Sequence, residues 1–131
     1  MSEVYKSIAA VQGELAKTGI AKDRRGQGFN FRGIDDVYAA LAPLLAANRL
    51  CVIPRMMERI AQDRQTKSGG TMINVTVKAE FDFVSAKDGS SHTASTYGEA
   101  MDVSDKATNK AMSAAYKYAA FLTFAIPTEG D

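Results

Sequence analysis

The sequence predicts an α+β fold in which helices pack on one face of a curved antiparallel β-sheet. From Ile73 to Phe83 apolar and polar residues alternate at every position, which is typical of a strand with one buried and one solvated face. From Lys106 onward the chain is rich in Ala, Lys and Met and its alanines recur at helical spacing. Helical patterns lie on both sides of a strand-rich interval, an order that favours helices stacked on a meander.

The N-terminal region predicts one amphipathic helix, from Ser2 to Lys17, which Thr18-Gly19 ends. Its apolar residues are spaced by 4, 3 and 4 positions and are Val4, Ile8, Val11 and Leu15. The polar, basic and glycine-containing stretch from Ala21 to Gly28 predicts a loop or a hairpin tip.

A short strand and a second helix are predicted next. Phe29 and Phe31 alternate with polar residues, which places both aromatic rings on one face of a strand. The second helix carries the apolar residues Ile34, Val37, Leu41, Leu44 and Leu45. Pro43 lies inside it and must bend the helix or start a new turn.

The strand-rich interval, residues 50–98, is predicted to form an antiparallel meander. Leu50–Ile53 predicts a short strand that breaks at Pro54, with Met56–Gln65 as an irregular continuation. Glycine-containing turns are predicted at residues 68–70 and 87–90, the second with Asp-Gly hairpin chemistry. The return strand is predicted to end at Gly98.

The last predicted helix has an alanine-rich face and a lysine stripe beside it. At 100° per residue the first face, which we expect to lie on the sheet with Tyr118 in the core, contains Ala107, Ala111, Ala114, Tyr118 and Leu122. The stripe contains Lys106, Lys110, Ser113 and Lys117. Asp102 or Ser104 can accept hydrogen bonds from free N–H groups at the helix start, where Asp105 suits the helix dipole.

Composition narrows the class of protein. With 131 residues the chain predicts one domain, residues 1–131, and its net charge of +1 means that any polyanion must be bound by a local basic patch. One such region runs from Lys17 to Arg32, where five cations and one anion give +4. The single cysteine, Cys51, excludes an internal disulfide and is expected to be buried. No stretch has the length of a membrane span, and we expect a cytoplasmic protein without membrane contact.

The residue inventory argues against an enzyme and predicts no cofactor and no metal. The one histidine, His92, lies among serines in a polar strand, and no phosphate-binding GxxxxGK[ST] loop occurs. Two acidic groups permit the alternative of a two-metal nuclease. These groups are Asp35 with Asp36, and Glu99 with Asp102 and Asp105. The favoured interpretation is that the aspartates stabilise helix starts and that some pair with lysines of the stripe.

A nucleic-acid-binding surface explains the basic and aromatic residues better, because proteins that hold single strands combine a basic groove with flat stacking surfaces. The candidate groove cations are Arg32, Lys106, Lys110 and Lys117, with Arg24 and Arg25 as a basic arm. Asn109 and Ser113 can donate to phosphate, and the candidate stacking residues are Phe29, Phe31 and Tyr116. For Phe31, core packing is at least as good an interpretation.

Two blocks of the sequence, GEAMDVSDKATNKAMSAAYKY at residues 98–118 and FNFRGIDDV at residues 29–37, resemble the essential recombination function (Erf) family of phage single-strand annealing proteins. The main signature is Gly-Glu-Ala-x-Asp-x-x-Asp-Lys-Ala-x-x-Lys-Ala, followed by Ala-x-Lys-Tyr. Residues 98–118, GEAMDVSDKATNKAMSAAYKY, match it, and FNFRGIDDV at residues 29–37 matches an upstream block. The resemblance extends from about Val4 to Pro127.

The resemblance implies a β-β-β-α core and a phage-type protein that binds single-stranded DNA and anneals complementary strands without ATP. Because one chain offers only three or four signature cations, too few to hold a long single strand, we also expect a homo-oligomer, a ring or a helical filament. The expected partners are single-stranded DNA and annealing intermediates, with a host single-strand binding protein as a candidate partner. Edge strands and the apolar face of the first helix are candidate subunit contacts. The alternative is an oligomeric scaffolding module without DNA binding. Because the family commonly has a further C-terminal region, we expect this chain, which ends at Asp131, to be a trimmed form or a minimal member.

Overall fold

A computed structural model describes residues 2–18, 33–103 and 106–126 of the chain. Within these ranges, three helices pack on a three-stranded antiparallel sheet, so the predicted α+β fold is confirmed. In chain order the elements are α1 (Glu3–Thr18), α2 (Ile34–Ala47), β1 (Leu50–Gln65), β2 (Thr71–Ser85), β3 (Ser91–Asp102) and α3 (Lys106–Phe124). Pro43 lies within α2, and Gly33 precedes that helix as its N-cap.

The sheet has the strand order β1-β2-β3, with β2 in the centre. β1 runs without a break through Pro54, which pairs with Phe81, so the prediction of a strand broken at this proline is wrong. Among the described strands β1 pairs with β2 alone, and an edge position tolerates a residue that lacks an N–H donor. The irregularity of β1 lies further on, where the register shifts between Met56 and Glu58.

Both predicted turns are present. Gly69 and Gly89 have φ angles of 90° and 76°, a conformation that glycine adopts without steric cost. In the second turn the Asp88 carboxylate accepts a hydrogen bond from the Ser90 N–H, at 3.0 Å, and another from the N–H of Glu3, at 3.1 Å. The turn between β2 and β3 therefore also anchors the start of α1.

One hydrophobic core lies between the helices and the sheet. The predicted alternation of β2 is confirmed, because Val75, Val77, Ala79, Phe81 and Phe83 are all buried. The predicted apolar face of α1 is buried in the same core, so this face cannot serve as a subunit contact and that expectation is wrong. Cys51 is exposed, contrary to prediction, since it lies on the sheet face opposite the core.

The closest approach of helix and sheet is between α3 and β3. A methyl group added at Gly98 would overlap the Ala111 carbonyl oxygen and lie 2.5 Å from the Ala115 backbone nitrogen. The Thr96 hydroxyl donates a 2.8 Å hydrogen bond to the Ala115 carbonyl oxygen. β3 continues past Gly98 to Asp102, so the prediction that it ends at the glycine is wrong.

The buried face of α3 differs from the predicted one. Tyr118 and Leu122 are 49% and 76% exposed, so the placement of Tyr118 in the core is wrong. The buried residues are Ala107, Ala111, Ala115, Ala119, Ala120 and Phe124. Alanines four positions apart drift around the helix by about 40° per step. The buried face therefore moves from β3 toward the centre of the core, where Phe124 contacts the Phe83 ring edge-on with centroids 5.6 Å apart.

Candidate nucleic-acid interface

The first part of α3 is a rigid support for the predicted lysine stripe. Its sheet-facing residues are alanines that approach a glycine, so the helix axis lies close to β3. Lys106 and Lys110 are exposed, and Lys117 is half-buried on the same side of the helix. Asn109 is exposed and Ser113 is half-buried next to them. The structure thus brings five of the predicted site residues together on one helix surface.

Two of these lysines have neighbours that fix their positions. The Lys110 ammonium forms an ion pair with Asp102 at the end of β3. Hydrogen bonds from Lys110 and from the Val103 N–H, with the nearby charge of Lys106, hold the pKa of Asp102 below its usual value. The Lys117 ammonium lies 5.6 Å from the centre of the Tyr118 ring, within the range of a cation–π interaction.

A shallow depression accompanies the stripe. It has a volume of about 310 Å³ and is lined by Ile34 of α2 and by α3 residues. The α3 residues are Asn109, Lys110, Ser113, Ala114 and Lys117. Because two ammonium groups and two neutral donors surround it, the depression suits an anion such as a phosphate group.

The structure places a cation that sequence reasoning missed next to α3, on the opposite side of the helix from the lysine stripe. Arg59 of β1 lies on the helix-covered side of the sheet, opposite Val77, and its Nε donates a 3.0 Å hydrogen bond to the Thr108 hydroxyl of α3. Arg59 is exposed, so its guanidinium adds charge next to the first turn of α3. Period-two alternation along β1, counted across the bulge at Met57, is the signal that places it on this side.

The sequence was compared with models of protein families. Residues 4–131, nearly the whole chain, match the ERF superfamily. The chain belongs to the ERF superfamily. No curated protein is significantly similar to it in sequence. Membership of this family associates the chain with phage recombination by single-strand annealing. Members of the family are annealing proteins and are not known as catalysts in the usual sense.

In this ERF protein the predicted stacking residue Tyr116 takes part in packing. Its ring lies against Tyr38 of α2, with centroids 4.9 Å apart and an angle of 23° between the planes, and contacts Phe81 edge-on. Burial and the neighbouring Tyr38 raise the pKa of Tyr116 to about 12. One ring face of Tyr116 is therefore covered, and Tyr38, which is 50% exposed, is the member of this stacked pair that presents more surface to solvent.

The remaining predicted site residues, Arg24, Arg25, Phe29, Phe31 and Arg32, lie outside the described residues. Part of the acidic cluster considered for metal binding can be placed. Glu99 faces the outer side of the sheet and accepts a 3.1 Å hydrogen bond from Asn74, whereas Asp102 pairs with Lys110 of α3. Across residues 2–18, 33–103 and 106–126 no three His, Cys, Asp or Glu side chains are arranged to hold a metal ion. In the same part of the chain, the helices are too short or too polar to span a membrane.

Proposed function

We propose that this ERF superfamily protein binds single-stranded DNA through α3 and anneals complementary strands without nucleotide hydrolysis. The observation that carries the proposal is the alignment of Lys106, Lys110 and Lys117 on one surface of a helix held close to the sheet. Eleven residues at 1.5 Å each separate the first and last lysine, so the stripe is about 16 Å long. Two or three phosphates of an extended strand fit along this length.

The chemistry of the surface suits binding without sequence preference. Ammonium and guanidinium groups contact phosphates, which are the same for every base, and Asn109 and Ser113 supply neutral donors. A strand held by its backbone keeps its bases available for a second strand. Each base-pair step then contributes about 1.4 kcal/mol of stacking, so pairing itself drives annealing and no ATP is needed.

A single chain offers few cations to a long strand, and we therefore propose that it works as a homo-oligomer, a ring or a helical filament. β1 is the element that suits a subunit contact. It is 16 residues long and lies at the edge of the described sheet. It carries the exposed apolar residues Ile53, Met56, Met57 and Ile60. Such an edge presents backbone donors and acceptors to another chain.

The deciding experiment is a salt titration of binding to single-stranded oligonucleotides of several sequences, together with an annealing assay in the absence of ATP. The proposal expects similar affinity for each sequence, a steep salt dependence, and faster annealing than without protein. A scaffolding module in which the lysines are merely solvated predicts little binding at any salt concentration, and that result would reject the proposal.

A further inference from the structure

A second concave surface lies beside α3, on the side away from Lys106. It has a volume of about 360 Å³, and its residues come from α2, β1, β2 and α3. They are Tyr38, Pro54, Met56, Phe81, Asn109, Met112, Ser113 and Tyr116. A further depression of about 260 Å³ shares Tyr38, Pro54 and Tyr116 with it and continues toward Leu45 and Val52. We call the two together the Tyr38 groove.

Among the described residues, no charged one lines the Tyr38 groove, whereas Lys110 and Lys117 line the depression beside the stripe. Met56 is exposed, and Tyr38 presents half of its surface to solvent although its other side is stacked on Tyr116. The stacked pair holds the Tyr38 ring in a fixed orientation. The larger of the two depressions is at the lower end of the range for small-molecule sites, which are mostly apolar with a few polar groups.

The groove and the lysine depression are adjacent. Asn109 and Ser113 line both of them, so only the width of α3 separates the apolar wall from Lys110 and Lys117. Arg59 and Thr108 lie next to the groove on its far side, one helical turn before Met112. An apolar, aromatic surface between two sources of positive charge is complementary to a strand of nucleotides, whose bases are flat and whose linkages are anionic.

We propose that the Tyr38 groove receives nucleobases of the single strand whose phosphates lie on the lysine stripe, with Tyr38 as the stacking surface. This inference rests on the proposed function and specifies how the strand is held. Stacking uses the face of a base, so its pairing edge stays free for a complementary strand. Paired and stacked bases inside a duplex cannot reach such a groove, which gives the surface a preference for single strands.

The first test uses the parent protein and two oligonucleotides of equal length, oligo-dT and a backbone in which the bases are replaced by abasic sites. Both carry the same phosphates. The proposal expects the abasic strand to bind about five- to 150-fold more weakly, the range that stacking of one base on an aromatic ring supports, with a similar salt slope. Equal affinities would overturn the inference and leave the proposed function intact. Absence of binding to either strand would reject both.

The second test compares Tyr38→Leu, which keeps apolar packing on Tyr116 but has no ring face, with Tyr38→Phe, which keeps the ring. Tyr97→Leu is the matched control, because Tyr97 is 62% exposed and lies opposite Lys78 on the other face of the sheet. We expect Tyr38→Leu to weaken binding of oligo-dT and to leave binding of the abasic strand unchanged, and the other two variants to match the parent. If Tyr38→Leu instead reduces the size of the oligomer in light scattering, the groove is a subunit contact and the inference is wrong.

Discussion

Lys110 on α3 is held by Asp102, the last residue of β3, so the centre of the lysine stripe is bonded to the sheet on which the helix lies. The Asp102 carboxylate also accepts a 2.6 Å hydrogen bond from the Val103 N–H. The ion pair between Asp102 and Lys110 orients the Lys110 ammonium group and at the same time offsets part of its charge. A phosphate that approaches Lys110 therefore competes with a carboxylate.

The substitution Asp102→Asn should strengthen binding of single-stranded DNA, because the carboxylate no longer competes for Lys110. We expect the log–log salt slope to become steeper by up to about 0.7, the contribution of one additional phosphate contact on a single strand. Fluorescence anisotropy at several salt concentrations measures both quantities. Weaker binding by a folded Asp102→Asn variant would contradict this prediction. It would show that Asp102 holds Lys110 in the position that binds phosphate and does not compete with phosphate for it.

The lowered pKa of Asp102 should also make the stability of the protein depend on pH in acidic solution. Its folded pKa lies below the unfolded value, so its stabilising contribution is present above the unfolded pKa of about 3.9 and is lost as the pH falls through the folded pKa. Thermal unfolding of the parent should therefore lose stability below about pH 4 more steeply than unfolding of Asp102→Asn. Parallel curves for the two proteins would contradict the ion pair in solution.

The separate substitutions Lys106→Ala, Lys110→Ala and Lys117→Ala should each weaken binding to all single-strand sequences alike and slow annealing. Each should make the salt slope shallower by somewhat less than one. The melting temperature should change little, since exposed ion pairs contribute about 0–1 kcal/mol. Lys6→Ala on α1 removes the same charge outside the stripe and should bind like the parent. Parent-like binding and annealing by all three stripe variants would reject the proposed site.

Much of the fold follows from local patterns. The spacing of apolar residues in α1, the alternation of β2 and the two glycine turns depend on neighbours in sequence, and all are present in the structure. The path of β1 depends on topology, because Pro54 is acceptable only once the strand lies at the edge. The sequence does not determine the end of β3, because Gly98 suits either a turn or a close approach of a helix, and only the packing of α3 decides between them.

In the candidate site, too, some features follow from neighbouring residues in the sequence, whereas others depend on contacts between residues far apart in it. The lysine stripe follows from helical periodicity alone, whereas Arg59 reaches Thr108 through a register that the bulge in β1 sets. Tyr38 and Tyr116 are 78 positions apart in sequence, so their stacking depends on how α2 lies against α3. Contacts of this kind leave no local pattern, so the sequence alone predicts an open stacking surface at Tyr116 and gives no signal at Tyr38.

Arg59→Ala should weaken single-strand binding in the same way as the lysine substitutions, with a shallower salt slope and no preference for sequence. The reason is that the guanidinium adds positive charge beside the first turn of α3. Thr108→Val removes the hydrogen bond to Arg59 but keeps the charge, so it serves as the control. We expect Thr108→Val to retain most of the salt slope. Equal losses in both variants would indicate that the contact supports the fold and that the charge is irrelevant.

Ile60→Lys should reduce the size of the oligomer, because a charged side chain on an exposed edge strand hinders pairing with another chain. Leu122→Lys is the control, since Leu122 is equally apolar and more exposed but lies on α3. Light scattering at micromolar concentration, with and without oligonucleotide, measures the mass of each protein. A strictly monomeric parent under both conditions would reject the oligomer, and dissociation by Leu122→Lys alone would move the contact from β1 to α3.

The raised pKa of Tyr116 should make the free energy of unfolding depend on pH in alkaline solution. Its pKa is raised from 10.0 to about 12 in the folded state, so its contribution to stability is complete below pH 10 and is lost as the pH rises to about 12. Two pKa units correspond to at most about 2.7 kcal/mol. Denaturant unfolding between pH 9 and pH 12 should show a smaller loss for Tyr116→Phe, which keeps the stacked ring and has no ionisable hydroxyl. Identical losses in the two proteins would place the alkaline transition elsewhere.

Among the described glycines, Gly98 is the one at which a change to alanine should be most damaging. The added carbon would overlap the Ala111 carbonyl oxygen and lie 2.5 Å from the Ala115 nitrogen, and both are backbone atoms that cannot rotate away. The helix must then move off β3, which disturbs the bond from Thr96 to Ala115 as well as the lysine stripe. Overpacking of this kind costs about 1–3 kcal/mol and sometimes more.

The same substitution at Gly13 of α1 is the matched control for Gly98→Ala. A methyl group there meets no atom within 4 Å, and alanine is a better helix former than glycine by up to about 1 kcal/mol. Denaturant unfolding should therefore show a gain in stability for Gly13→Ala and a large loss for Gly98→Ala. If Gly98→Ala folds with the stability of the parent and keeps its DNA binding, the close contact between β3 and α3 is not what positions the lysines.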